Sequence, residues 1–221
     1  MSLINYKKNN FIFFHLYKCG GNSLRTVLNE RYPDSVEWGG VHGLPADVKT
    51  HYINENKLEV FNKSFKFTII RNPFDFLVST YFYGKSYPAH FMHYTIHNEN
   101  MSMLEFIPYY MRVRSHNFGL DGFTADKPLG ANKVVTFNDW LHDSNGEPIM
   151  DFIGKIENIN IDTNIILEHI NKNNAGAKIR VPIVNVNPNK QKDYRQYYNP
   201  ESRKLVEKHF AWELENFKYK F

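Results

Sequence analysis

Apolar residues fall into short runs and helical periodicities that alternate along this chain. Residues 11–17 read FIFFHLY, a compact run rich in aromatic side chains, and predict a buried strand. The run ends at Lys18-Cys19-Gly20-Gly21-Asn22-Ser23. Leu24, Val27 and Leu28 then recur at helical spacing, with Ser23 or Asn22 as the N-cap. Residues 32–46 hold turn formers around Trp38-Gly39-Gly40-Val41-His42-Gly43 and read as loop. A polar helical stretch follows over about 45–61. Residues 65–70, FKFTII, predict a second strong strand. Arg71-Asn72-Pro73 ends it, and Pro73 suits the first turn of a helix with Phe74, Leu77, Val78 and Tyr81 on one face. Residues 101–113 read as a helix. Residues 134–141 and 149–156 flank Ser144-Asn145-Gly146-Glu147, which predicts a hairpin. Helices are expected over 162–170 and, strongly amphipathic, over 200–217.

Two strand–turn–helix units followed by further helices favour an α/β fold with a mainly parallel sheet. No internal repeat or long linker interrupts the pattern, so 221 residues are expected to form one domain, 1–221. The longest early apolar run is broken by His15 and is far short of the ~20 residues needed to cross a bilayer. It also lacks the features of an export signal. The expectation is a soluble, cytoplasmic protein with no membrane span. A single cysteine, Cys19, excludes an internal disulfide framework and a Cys-based zinc module. The 27 basic and 23 acidic residues leave a net charge of +4, too mild for a duplex-binding protein, so no nucleic-acid partner is expected. The charge is uneven. Residues 178–221 carry ten Lys/Arg against five Asp/Glu, which leaves the rest of the chain at −1. That basic stretch could face an anionic ligand or be a solvated helix surface.

The first strand–turn–helix holds the sharpest chemistry. Adjacent glycines let backbone N–H groups approach an anion, and the helix that starts there adds its positive end. Lys18 supplies a mobile charge and Ser23 a hydroxyl, all suited to phosphate or sulfate. The order differs from a Walker A loop, where the Lys follows the glycines. In the second unit, Arg71 stands at the strand end and Ser79 lies eight residues on, about two helical turns into the next helix. A guanidinium and a hydroxyl could clamp a second phosphate.

Together the two motifs resemble those of sulfotransferases that use 3′-phosphoadenosine 5′-phosphosulfate (PAPS). The first is similar to that family's 5′-phosphosulfate loop, typically Phe-Ile-His-x-Pro-Lys-Thr-Gly-Gly-Thr-Ser. The second is similar to its 3′-phosphate motif, Arg-Asn-Pro-x-Asp-Arg-x-x-Ser-x-Tyr. The resemblance continues through Asp151-Phe152-Ile153-Gly154-Lys155-Ile156-Glu157-Asn158, Lys192-Asp193-Tyr194-Arg195-Gln196-Tyr197-Tyr198 and Phe217-Lys218-Tyr219. It is the pattern of the branch that holds carbohydrate sulfotransferases and bacterial relatives. Four positions depart from it: Tyr17 for Pro, Cys19 and Asn22 for Thr, and Phe76 for Arg.

The resemblance implies a P-loop-like three-layer fold whose mainly parallel central sheet is flanked by helices. It implies PAPS as co-substrate, its desulfated form PAP as product, and no obligatory metal. Lys18, Cys19, Gly20, Gly21, Asn22 and Ser23 would hold the 5′ end, and Arg71 and Ser79 the 3′-phosphate. The acceptor would be a hydroxyl, favoured on a saccharide. The branch places a His between the two nucleotide motifs, and His42 matches it. Imidazole titrates near neutrality and can accept the acceptor proton, so His42 is the expected base, with Lys18 as the second catalytic residue. His15 is expected to pack in the sheet. His90, His93 and His97 could share a helical face, but no further ligand pattern supports a metal. Two rival readings are a small-molecule kinase of P-loop type and a non-catalytic scaffold that binds a nucleotide or glycan.

Overall fold

The apolar run at Phe11 is a strand, and it pairs in parallel with the second strong run, with Phe11 opposite Phe65, 54 residues later. The computed structural model describes residues 3–6, 11–33, 36–38, 45–88, 96–97, 100–117, 136–143, 145–171, 178–184, 187, 189–190 and 193–221. It divides into two compact units, one made of Met1–Arg71 with Asp139–Asn185 and the other of Asn72–Asn138 with Val186–Phe221.

The first unit holds a five-stranded sheet in the order β3-β1-β2-β4-β5. Its strands are β1 (Leu3–Tyr6), β2 (Phe11–Phe14), β3 (Val36–Trp38), β4 (Phe65–Ile70) and β5 (Phe152–Lys155). Strands β2, β4 and β5 are parallel, with Phe13 opposite Phe67 and Phe67 opposite Phe152. Strand β1 pairs antiparallel with both β2 and β3. The chain is therefore α/β with a three-stranded parallel sheet, extended at one edge by two antiparallel strands. All four residues of β2 are buried, as are the last five of β4; β2 accordingly reads as an unbroken apolar run, whereas β4 also buries Lys66 and Thr68.

Helices α1 (Gly21–Arg31) and α7 (Ile159–Ile170) cover one face of the sheet. Leu24, Val27 and Leu28 from α1 join Ile166, Leu167 and Ile170 from α7 in one apolar core with Phe11, Phe13, Phe67 and Ile69. The Phe13 and Phe67 rings stack at 5.4 Å, which fixes the register of β2 on β4. Helices α2 (Pro45–Asn54) and α3 (Leu58–Lys63) replace the single helix expected over 45–61. The break falls at Asn56, whose φ of 56° no helix can continue through.

The second unit holds α4 (Pro73–Ser86), α5 (Met103–Asn117), α8 (Pro200–His209) and α9 (Ala211–Asn216). The helix expected over 200–217 is interrupted at Phe210, which is buried. Phe76 of α4 lies edge-on to Tyr110 and Phe137 at 6.2 and 5.3 Å. Glu213 is buried and accepts a hydrogen bond from the Asn138 N–H (3.1 Å), while burial pushes its carboxyl pKa up.

Three further expectations are corrected. Residues 32–46 contain β3, a three-residue strand inside the expected loop. The N-terminal strand β1 was not expected. The predicted hairpin does not form: Phe137–Leu141 is a helix, α6, and Phe152–Lys155 pairs in parallel with β4. The turn itself exists, closed by an isolated bridge between His142 and Pro148. The Lys49 ammonium donates to Asp143, and with the N–H groups of Glu147 and Asn145 it lowers the carboxyl pKa to about 2.

Candidate functional site

Strand β2 ends at Phe14, and six residues separate it from α1, which begins at Gly21. Two residues between them take left-handed backbone: Lys18 at φ 56° and Gly20 at φ 80°. Gly20 is the N-cap of α1 and, lacking a side chain, offers no side-chain cap. Its carbonyl already receives the N–H groups of Ser23 (3.0 Å) and Leu24 (3.3 Å). The first turn of α1 thus opens without a capping oxygen from its own N-cap, the arrangement in which a helix start favours an anion.

The two glycines are required for different reasons. A Cβ on Gly20 would sit 2.8 Å from Ile156 Cδ1, on top of the left-handed φ. A Cβ on Gly21 would lie 1.9 Å from His15 Cδ2 and 2.1 Å from its Nε2. His15 therefore packs into the groove that Gly21 leaves, stacked at 5.8 Å on Phe13. The expected placement of His15 against the sheet holds, with the added finding that it braces the glycine turn. Gly21→Ala is expected to destabilise the protein by about 1–3 kcal/mol, read from a urea midpoint, because the core must overpack. Ala in a helix normally gains about 0.5–1 kcal/mol over Gly, so the sign decides the matter. His15→Ala added to Gly21→Ala should recover most of the loss. A Gly21→Ala variant with wild-type stability would contradict this packing.

Burial above all, with the positive charges of the N-terminal amine, Arg25 and Lys18, lowers the His15 pKa from 6.5 to about 4. The folded protein then declines a proton that the unfolded chain accepts. Stability should be intact above pH 6.5 and fall as pH drops from 6.5 towards 4, by on the order of 3 kcal/mol at the bottom of that window. His15→Phe keeps a ring without a titrating group and should flatten the profile over that range. An unchanged slope in His15→Phe would assign the pH dependence to other groups.

The loop's remaining side chains have distinct settings. Cys19 is fully buried, and its N–H bonds the Leu16 carbonyl at 3.4 Å. Cys19 thus anchors the turn to the interior. Asn22 is exposed. Ser23 accepts a hydrogen bond from the Val184 N–H at 3.3 Å, which leaves its own hydroxyl proton to donate elsewhere. The segment that carries Val184 is itself held to α7. Val181 N–H donates to Asn160 Oδ1 (2.8 Å), and the Asn164 amide both accepts from Ile179 N–H and donates to its carbonyl. The Lys18 ammonium lies 5.8 Å from the centre of the Tyr17 ring.

Arg71 follows the last residue of β4. Strands β2 and β4 are adjacent and parallel, so the glycine loop and Arg71 leave the sheet at the same end. Arg71 Nη1 donates to the Lys18 carbonyl at 3.0 Å. This bond joins the two motifs at the carboxyl ends of neighbouring parallel strands, where open α/β sheets take ligands. The sequence placed both motifs but could not show this bond, which spans 53 residues.

Ser79 belongs to the second unit, is partly exposed on α4, and its hydroxyl makes no hydrogen bond among the described residues. Asn72 caps α4, accepting from Phe74 N–H at 3.1 Å, and its amide donates to Tyr194 Oη (3.1 Å) and the Lys220 carbonyl (2.9 Å). Tyr198 donates to the Phe74 carbonyl at 2.7 Å, and the Phe74 ring meets Tyr194, Tyr198 and Phe221. Tyr194 and Tyr198, with Lys220 and Phe221 at the C-terminal end, thus clamp the Asn72-Pro73-Phe74 turn. An Asn-Pro pair before an apolar helix was the signal that could have revealed this cap. Asp75 pairs with Lys190. Phe76, where the family has Arg, is buried among aromatic rings and is a core residue.

His42 lies outside the described residues, as do His90, His93 and Lys192. His97 is described and exposed. Among the described residues no three His, Cys, Asp or Glu side chains gather as metal ligands, and no helix is long and apolar enough to cross a membrane. No protein-family model matches the chain, and no curated protein or solved structure matches it.

Proposed function

We propose that this chain is a PAPS-dependent sulfotransferase with a P-loop-like three-layer architecture, acting in the cytoplasm on an acceptor hydroxyl, favoured on a saccharide. The observation that carries the reading is the bond from Arg71 to the Lys18 carbonyl. It brings a loop suited to one anion together with an arginine suited to another, in the order and spacing of the resemblance. The start of α1 supports the reading, because no N-cap side chain occupies its first-turn N–H groups.

In the proposed reaction the acceptor oxygen attacks sulfur, and the bond from sulfur to the bridging oxygen breaks. The electron pair leaves on that oxygen, which remains with PAP. Lys18 offsets the charge that develops there. His42 takes the acceptor proton. The loop Lys18–Ser23 holds the 5′ end, and Arg71 the 3′-phosphate, so that the donor is fixed in line with the acceptor. Ser79 enters as a 3′-phosphate ligand on the motif alone.

A thermal-shift comparison tests the reading against its rivals. PAP should raise the melting temperature through linkage, and ATP with Mg²⁺ should raise it less at equal concentration. A larger shift with ATP and Mg²⁺ would favour the kinase. Tight PAP binding with no labelled sulfate passed to any acceptor in a broad screen would favour the scaffold.

A further inference from the structure

Among the described residues, four besides glycine take positive φ: Lys18, Asn56, Asn100 and Lys218. Asn tolerates this region, whereas for Lys it costs roughly 1–2 kcal/mol. Lys18 therefore sits in a conformation that something must hold, and it does so at the residue where the proposed donor loop turns. Its carbonyl accepts Arg71 Nη1 at 3.0 Å. Cys19 next to it is fully buried, and Gly20 after it is also left-handed. The orientation of the Lys18–Cys19 peptide thus sets where the amides at the start of α1 are presented.

Resting on the sulfotransferase reading, we infer that Arg71 is a positioning residue for the 5′ end of the donor as well as a ligand for its 3′-phosphate. It latches the strained Lys18 backbone in the conformation that receives the 5′ group. A guanidinium carries five N–H donors, so one can stay on the carbonyl while others meet a phosphate. Fixing Arg71 on a 3′-phosphate then stiffens the latch, and the two ends of the donor bind cooperatively. The coupling is reciprocal, as linkage requires.

The probe is adenosine 5′-phosphosulfate, which has the 5′ group and no 3′-phosphate. Its affinity is measured by calorimetry for wild type, Arg71→Ala, Lys18→Gly and the double variant, with circular dichroism and melting to verify folding. Arg71→Ala should weaken this ligand about tenfold, the scale of the backbone strain released. Glycine adopts positive φ without strain, so in the Lys18→Gly background the same removal should cost less than about threefold. Arg71→Lys keeps the charge but loses the planar fork and should lose nearly as much as Arg71→Ala; it carries the comparison if Arg71→Ala does not fold. Equal losses in both backgrounds would mean that Arg71 acts by charge alone and would overturn the latch. Unchanged affinity in Arg71→Ala would overturn it too. The underlying reading fails by a separate result: wild type binding PAP no more tightly than adenosine 5′-phosphate.

Discussion

Replacing Lys18 by Ala is expected to slow sulfate transfer by ~10²–10³ while weakening PAP by about tenfold or less. The asymmetry follows from when the charge is needed. In the ground state of the proposed complex the bridging oxygen shares its electrons with sulfur, and the loop amides and Arg71 would already offset the donor's charge. As the bond to sulfur breaks, that oxygen gains charge, and a cation aimed at it stabilises the transition state more than the bound donor. The structure makes the substitution clean. Lys18 is partly exposed, its ammonium rests near the Tyr17 ring rather than in the core, and the latch to Arg71 uses its carbonyl. Ala at this position keeps that carbonyl. The check is single-turnover transfer of labelled sulfate beside calorimetric PAP affinity. Equal losses in rate and affinity would reduce Lys18 to a simple binding residue.

The second large effect belongs to His42. His42→Ala should lower transfer by ~10²–10⁴, the ordinary range for a general base, with PAP affinity nearly unchanged. The division of labour is chemical: a base serves the acceptor's proton and has no task with the donor. His42→Asn preserves some hydrogen bonding without a usable base and should fail similarly. In the wild type the rate should fall at acid pH as the imidazole becomes protonated, and the remaining rate of His42→Ala should lack that limb. His42 lies outside the described residues, so this prediction stands on its place between the two motifs. Normal turnover in His42→Ala would move the search to another base. His15 is a poor substitute as a structural matter, because its ring is wedged against Gly21.

The elements that proved legible were those whose signal is local. Strand β4 spans the predicted residues, and β2 occupies the first part of its predicted run, because both are buried and dense in aromatic and β-branched residues. Helix α4 was legible from Asn72-Pro73 and its apolar stripe. Phe152–Lys155 was misread because its partner is β4, far away in sequence, while the nearby turn at Asn145-Gly146 offered a plausible hairpin. No local pattern distinguishes the two pairings. Strand β3 has three residues, too few for a period to show. At the site, the glycine loop and Arg71 were legible as types and spacing. What the sequence hid were contacts: the imidazole that makes Gly21 obligatory, the Val184 amide on Ser23, and the guanidinium on the Lys18 carbonyl. Phe76 was visible as a departure, but only the aromatic packing around it shows why an apolar residue stands there.

The central claim is that the chain recognises a nucleotide by its 3′-phosphate and 5′ end together. Calorimetry with PAP and with adenosine 5′-phosphate tests this most directly, since the two differ by the 3′-phosphate alone. The account predicts micromolar or tighter PAP binding, at least about tenfold tighter than adenosine 5′-phosphate, with most of the difference lost in Arg71→Ala. Equal affinity for the two nucleotides in the wild type would contradict it.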